Sequence, residues 1–228
     1  MKSRPDNLPD NLNQNLSFFR RWSKTYDFPL FQFWMRGFQR PVLEEVDFSS
    51  KGKLLDVSCG TGQLLKALER KNGEKKLQLV GVDLSPEMLA KARERVSAAV
   101  TLMPGNVHAL PFASNSFDYV VSTEAFHHYG DQQKALREMM RVAKKGGIVM
   151  IVDINFFFHG IHWLFEHLEP GCQKVNSRKE MLRLFQEAGL QNIQQRRSFL
   201  FAVVTKGKKR MKERLSRAYQ RQPSGSPI

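Results

Sequence analysis

Between Leu54 and Thr205 the chain alternates short apolar runs with amphipathic stretches, and few folds accept that pattern. The runs "KLLDV", "LQLVGVD", "VTLMPG", "FDYVVS" and "GGIVMIVDI" have strand length and are rich in β-branched residues. Helical stretches separate most of them, over Gly62–Arg70, Pro86–Ser97, Asp131–Ala143 and Ser177–Ala188. Ser85 before Pro86 reads as an N-cap with proline in the first turn, and Ser177 with Glu180 has capping-box spacing. A run such as "IVMIV" is apolar on both faces of the pleat, which suits a parallel strand covered from both sides. "NIQQRRS" and "FLFAVVT" close the pattern, and their tight connection forces an antiparallel pair. The expected fold is therefore α/β: a mostly parallel seven-stranded sheet with one antiparallel strand and helices on both faces.

Around this core the chain divides into expected parts. Residues 1–15 are polar, rich in Asn and Pro, and read as a flexible leader. "LSFFRRWSKTYDFPLFQFWMRGFQRPVLEEV" has helical spacing on an aromatic background, giving N-terminal lid helices over 16–47 ahead of a main domain at 48–205. Residues 206–228 form a basic tail, read as disordered. Its stretch "KGKKRMKERLSRAYQR" carries +7, half of the chain's net +14. Such a run is most often a solvated end, and the alternative is contact with an anionic membrane surface or RNA. Two cysteines without a CxxC exclude a disulfide scaffold or a zinc ribbon and suit a reducing compartment. No secretory signal is visible. The stretch Ile148–Phe165 is interrupted by Asp153, Asn155, His159 and His162, so no transmembrane segment is expected. These features describe a cytoplasmic protein that can lie peripheral to a membrane.

The loop in "LLDVSCGTGQLL", Leu54–Leu65, is the candidate binding element. A phosphate-binding P-loop needs GxxxxGK[ST], which is absent. A dinucleotide fingerprint needs GxGxxG, and here Gly60 and Gly62 are followed by Leu65. Asp83 follows Gly62 by about 20 residues, the spacing at which a strand-end carboxylate accepts ribose hydroxyls. A nucleoside ligand lacking phosphates fits these residues. S-adenosylmethionine is such a ligand, because its amino-acid end suits a close backbone approach at Cys59–Gly62, a helix N-terminus and the negative charge of Asp56.

Taken together, "LLDVSCGTGQLL", "LVGVDLSPEMLAKAR", "GNVHALPFASNSFDYVVS" and "ALREMMRVAKKGGIVMIVD" resemble the Rossmann-like class I S-adenosylmethionine-dependent methyltransferases, in particular the ubiquinone/menaquinone-biosynthesis branch. The resemblance implies that Asp56, Ser58, Cys59, Gly60, Thr61 and Gly62 hold the methionine moiety. It further implies that Asp83 grips the ribose, that Leu84 and Met88 pack near the adenine, and that Asn106 and Val107 address its edge. Thr123 is implied beside the amino-acid end and Tyr26 on a helix that lids the cofactor. Ser58 departs from the family's usual glycine.

Methyl transfer from a sulfonium depends mainly on holding the nucleophile in line, and a base is needed only where the nucleophile must lose a proton. His127 and His128 follow the fourth strand and are the candidate bases. The segment "NFFFHGIHWLFEHLEPG" brings His159, His162 and His167, but HExxH is missing, so it reads as an aromatic cap and no metal site is expected. With Phe31, Phe33 and Trp34, that cap points to a small apolar or lipid-like acceptor entering between the lid helices and Phe156–Phe165. Two other readings stand beside it: an RNA or protein methyltransferase using the basic tail, and a non-catalytic S-adenosylmethionine-binding scaffold.

Overall fold

The computed structural model describes residues 29–73, 76–169 and 171–211; the leader, Tyr26 and most of the basic tail lie outside them. Helix α1 (Pro29–Glu45) leads into β1 (Gly52–Val57), α2 (Gln63–Lys71), β2 (Leu77–Asp83), α3 (Pro86–Arg95) and β3 (Thr101–Pro104). Then come β4 (Phe117–Thr123), a 3-10 turn (Phe126–His128), α4 (Gln132–Val142) and β5 (Ala143–Ile154). The chain continues through α5 (His159–Leu168), α6 (Arg178–Glu187), β6 (Leu190–Phe199) and β7 (Ala202–Lys209).

The seven strands form one sheet in the order β3-β2-β1-β4-β5-β7-β6. β1 to β5 run parallel, and β7 inserts antiparallel between β5 and β6, which is the single reversed strand that the tight β6–β7 connection requires. Side-chain alternation divides the core into two layers. Leu54, Val121, Met150 and Val152 face α1, α2 and α3 through Phe38, Val42, Leu64, Leu68 and Leu89. Their sequence neighbours Leu55, Val120, Val149 and Ile151 face α4 and α6 through Leu136, Met139, Met181 and Phe185. Burial of both strand faces is what the continuous apolar runs demand.

The caps sit where the sequence puts them. Ser85 Oγ accepts the Met88 amide, Asp131 caps α4 through the Lys134 amide, and Ser177 and Glu180 close a capping box at α6. The chain reverses its order at β1 and β4, so a crevice opens beyond their carboxyl ends, where open α/β sheets bind ligands. Among the described residues no helix is long and apolar enough to cross a membrane.

The expected boundary at 205 needs correction. β7 continues to Lys209, pairing Lys206, Gly207 and Lys208 with Met150, Val149 and Ile148 of β5, and Lys209 with Leu190 of β6. Lys206 is paired with Glu45, and Lys209 Nζ donates to the carbonyls of Arg141 (3.0 Å) and Ala143 (2.9 Å). The first basic residues of the run are strand residues whose charges meet partners, which charge counting alone does not reveal. A chain ending at residue 211 should therefore keep its unfolding midpoint in urea. A chain ending at 205 should lose roughly 3 kcal/mol or more, at about 1 kcal/mol per net hydrogen bond removed.

Candidate active site

The ends of β1, β2, β3 and β4 surround a cavity of about 450 Å³. The loop after β1 turns through three residues with positive φ: Ser58 at 59°, Gly60 at 52° and Gly62 at 76°. At Gly62 a side chain would also reach 3.1 Å from Ala92 Cβ on α3, so glycine serves both conformation and packing there. Ser58 is the exception, a residue with a Cβ in the left-handed region, at a cost of about 1–2 kcal/mol. Its Oγ lies 2.8 Å from the Tyr129 hydroxyl, which is also 3.0 Å from Ser122 Oγ, and this tie holds the strained residue in place.

Leu65, which argues against a dinucleotide, is fully buried. The close helix–strand approach usually granted by a third glycine on the helix is granted here by Gly81 on β2, where a Cβ would lie 2.6 Å from Leu65 Cδ1.

Asp83 closes β2. Its Oδ2 accepts the Gly60 amide (2.8 Å) and its Oδ1 the Ser85 amide (2.9 Å), so one carboxylate joins the two loops. Burial raises its pKa, against the pull of those amides. Asp56, at 2 % exposure, is driven well above the usual carboxylate range by desolvation and by Asp83. Its Oδ1 has no hydrogen-bond partner among the described residues. A buried anion with an orphaned oxygen beside a second carboxylate calls for a cation, and the ammonium of an amino-acid ligand supplies one.

The other expected residues distribute as follows. Ser58, Cys59, Gly60, Thr61, Leu84, Met88, Asn106, Val107 and Thr123 line the cavity together with Asp56 and Asp83, and Gly62 lies just behind it. Thr61 is turned partly away, because Arg95 bonds both its hydroxyl and its carbonyl. Asn106 Oδ1 accepts the His108 amide at 2.9 Å, which shapes the turn after β3.

The two histidines separate. His128 lines the cavity, and burial and the neighbouring His127 charge hold its pKa well below normal. His127 lies behind the wall, with Nδ1 at 2.6 Å from Asp153 Oδ1 and Nε2 at 3.4 Å from Glu169 Oε2. Burial opposes its protonation, yet the two carboxylates lift its pKa to about 10. Buried behind the wall and in contact with two carboxylates, His127 is poorly placed to take a proton from a ligand in the cavity, so the expectation that it acts as a base is not met by this geometry.

Sequence reasoning missed Glu124. It sits on the cavity wall just past β4, at φ 51°, with its Oε1 bonded to Trp34 Nε1 and its Oε2 without a hydrogen-bond partner. Desolvation lifts its pKa to about 8. A lone Glu in "STEAF" carries no spacing signal; only burial singles it out. Met35 and Gln39 of α1 also line the cavity, as a helix placed over the crevice requires. The aromatic cap, by contrast, is not part of its lining. Phe156 packs on Phe165 and Phe201 at 5.0 and 5.1 Å, while Trp163 is 61 % exposed and stacks on His167. His162 Nε2 and His167 Nδ1 contact the backbone carbonyls of Phe156 and Trp163. The side chains of Phe31, Phe33 and His159 lie outside the described residues.

An open parallel sheet reversing order at β1 and β4, with acidic groups at the ends of β1 and β2 and no phosphate-binding lysine in the loop, defines a Rossmann-like nucleoside-binding protein. A family model described as a methyltransferase domain matches residues 55–151. The demethylmenaquinone methyltransferase of Shouchella clausii is 33% identical over 153 residues, covering 63% of this chain and 65% of that protein. The demethylmenaquinone methyltransferase of Bacillus cytotoxicus is 32% identical over 199 residues, covering 74% of this chain and 82% of that protein. In structure, the S-adenosylmethionine-dependent methyltransferase of Thermotoga maritima superposes with a TM-score of 0.67 at 21% identity, covering 85% of this chain and 99% of the other. The chain belongs to the class I S-adenosylmethionine-dependent methyltransferases, in their menaquinone branch. Its cofactor is S-adenosylmethionine, and the unsatisfied Asp56 carboxylate fits that cation-bearing ligand.

The raised pKa of Asp56 makes cofactor binding pH-dependent. A carboxyl whose folded pKa is raised takes up a proton as pH falls toward that value, while a cationic ligand favours the ionised form. Affinity for S-adenosylmethionine should fall on acidification, beginning well above pH 3.8. Asp56→Asn should flatten this dependence, weaken binding by about 10-fold or more and leave the unliganded fold as stable or more so. Calorimetry across pH and thermal unfolding check the two halves.

Proposed function

We propose that this chain transfers the methyl group of S-adenosylmethionine to a small, apolar, quinol-type acceptor. The observation carrying this is the 32% identity to a demethylmenaquinone methyltransferase across 82% of its length. The cavity agrees in character, since Met35, Leu64, Leu84, Met88, Val107 and Ala125 line much of it. When bound, the cofactor supplies an electrophilic methyl on a sulfonium.

The protein's own part is to hold and enclose. In this reading the Asp56–Gly62 loop, with Thr123 at the neighbouring strand end, takes the amino-acid end. Asp83 keeps a second lone-pair direction on each oxygen for ribose hydroxyls. Leu84, Met88, Asn106 and Val107 flank the base. Helix α1 closes the crevice through Met35 and Gln39 and excludes water. Glu124, on the cavity wall and with its Oε2 lacking a hydrogen-bond partner among the described residues, would accept the proton of an acceptor hydroxyl brought against it, the task first assigned to the histidines.

The exposed Phe157, Phe158, Trp163 and Leu168 and the basic tail support a place at an anionic membrane surface, where a lipid-like acceptor resides. Replacing Phe158 and Trp163 with Ser should lower binding to anionic vesicles without altering cofactor affinity.

The acceptor is tested by incubating the protein with isotopically labelled S-adenosylmethionine and, in parallel, a reduced naphthoquinone with an open ring carbon, total lipid extract and total RNA. Label is expected on the naphthoquinol ring or in the lipid fraction. Glu124→Gln should slow that transfer about 10²-fold or more. Label confined to RNA or protein would replace this reading with a macromolecular one, and no transfer to any of them would leave a cofactor-binding scaffold.

A further inference from the structure

Behind the cavity wall, between the turn after β4 and the end of α5, lie His127, His128 and Glu169, and one ligand-type atom from each falls within 4.8 Å of the other two. His127 is fully buried, and neither its Nε2 nor Glu169 Oε2 has a hydrogen-bond partner among the described residues. Those two atoms are 3.4 Å apart, and His128 Nε2 is 3.9 Å from Glu169 Oε1. The first separation exceeds the usual ~2.7–3.2 Å of an N–H···O bond. It matches the ~3.3–3.4 Å between two corners of a tetrahedron whose metal–ligand bonds are ~2.0–2.1 Å.

We propose that His127, His128 and Glu169 form a binding site for one divalent transition-metal ion of the zinc type.

Three features beyond proximity support it. Asp153 Oδ1 lies 2.6 Å from His127 Nδ1, which is the carboxylate–histidine arrangement that orients a metal-binding imidazole and fixes Nε2 as its ligand atom. Glu169 is the C-cap of α5, the negative end of the helix dipole, where a carboxylate is poorly placed unless a cation stands beside it. Finally, Asp153 and Glu169 are met by the histidines, not by lysine or arginine, so neutral histidines would leave uncompensated negative charge that a dication would balance.

The chain builds this site deliberately. The amides of Gln173 and Lys174 both donate to the His127 carbonyl, at 2.8 and 3.1 Å, and strap the segment after Glu169 across the turn that carries the histidines. Three protein ligands leave a fourth position open, as in catalytic rather than structural zinc sites. Of the three residues only His128 lines the cavity, so an ion held here would stand beside the space assigned to the acceptor, where it could polarise an oxygen and ease loss of its proton. The site stands on its own geometry and does not depend on which acceptor is used.

The test uses the full chain, stripped with a chelator, titrated with Zn²⁺ by calorimetry and with Co²⁺ by visible absorption. One equivalent of each should bind, and cobalt should give the intense visible bands of a four-coordinate ion. Glu169→Gln, a near-isosteric change at a half-buried position, should weaken binding at least ~10-fold, and Asp153→Asn by ~10–100-fold through the orientation of His127. The unfolding transition of each variant reports whether it has folded. Absence of stoichiometric binding in the unaltered chain overturns the proposal, as does binding that both folded variants retain in full. Either result would make His127 an imidazolium held between two carboxylates.

Discussion

One carboxylate organises the cofactor end of this molecule. Asp83 accepts the Gly60 amide on one oxygen and the Ser85 amide on the other, and so ties the loop after β1 to the start of α3. Those loops leave adjacent parallel strands and are joined further by the Cys59 amide on the Val82 carbonyl (3.0 Å) and by Arg95 on Thr61. The parallel register of β1 on β2, with Val57 beside Val82, brings them within reach, and the carboxylate then sets their distance. The shape of the cavity follows from this contact, because the positive-φ loop, the helix N-terminus at Gly62 and the capped start of α3 all hang from it.

The second theme is buried charge. Asp56, Glu124, His127, Asp153 and Glu169 are ionisable groups crowded at the carboxyl ends of β1, β4 and β5 and in the segment that folds over them. Desolvation is the first cause of the raised pKa at Asp56 and Glu124, whereas at His127 it acts downward and is overcome by Asp153 and Glu169. Each such group weakens the unliganded fold unless it finds a counter-charge. A fold that keeps them is holding ligand-facing polarity in place at the expense of its own stability. Two buried layers of apolar side chains, with Phe38, Phe126 and Phe185 fully enclosed, offset that cost.

The close packing of α2 on the sheet shows how one physical need can be met from either side. A dinucleotide fingerprint places a glycine on the helix, whereas this chain places Leu65 on the helix and Gly81 on the strand. Reading the helix alone registers a missing glycine. Reading the pair shows a close helix–strand contact with the small and large partners exchanged.

Much of this was legible in the sequence because it rests on local rules. The continuous apolar strands dictate a doubly covered parallel sheet. Ser85 and Ser177 announce helix starts through their own side chains, and the short link before Ala202 dictates the reversed strand. The glycine loop and Asp83 were recognisable because their spacing is set by one strand–helix–strand unit. What stayed hidden depends on partners far apart in the chain. Glu124 looks like any solvent-facing Glu until β4 ends inside the protein and Trp34, 90 residues away, donates to it. His127 and His128 look equivalent in sequence, and only Asp153 and Glu169, arriving from β5 and α5, separate a ring closed off behind the wall from one that lines the cavity. Lys206–Lys209 read as tail until β5 and β6 supply their pairing. Sequence alone determined the sheet, the caps and the cofactor loop, because neighbours in the chain dictate them. Tertiary structure decided which charged groups are buried, since desolvation depends on what else folds over them.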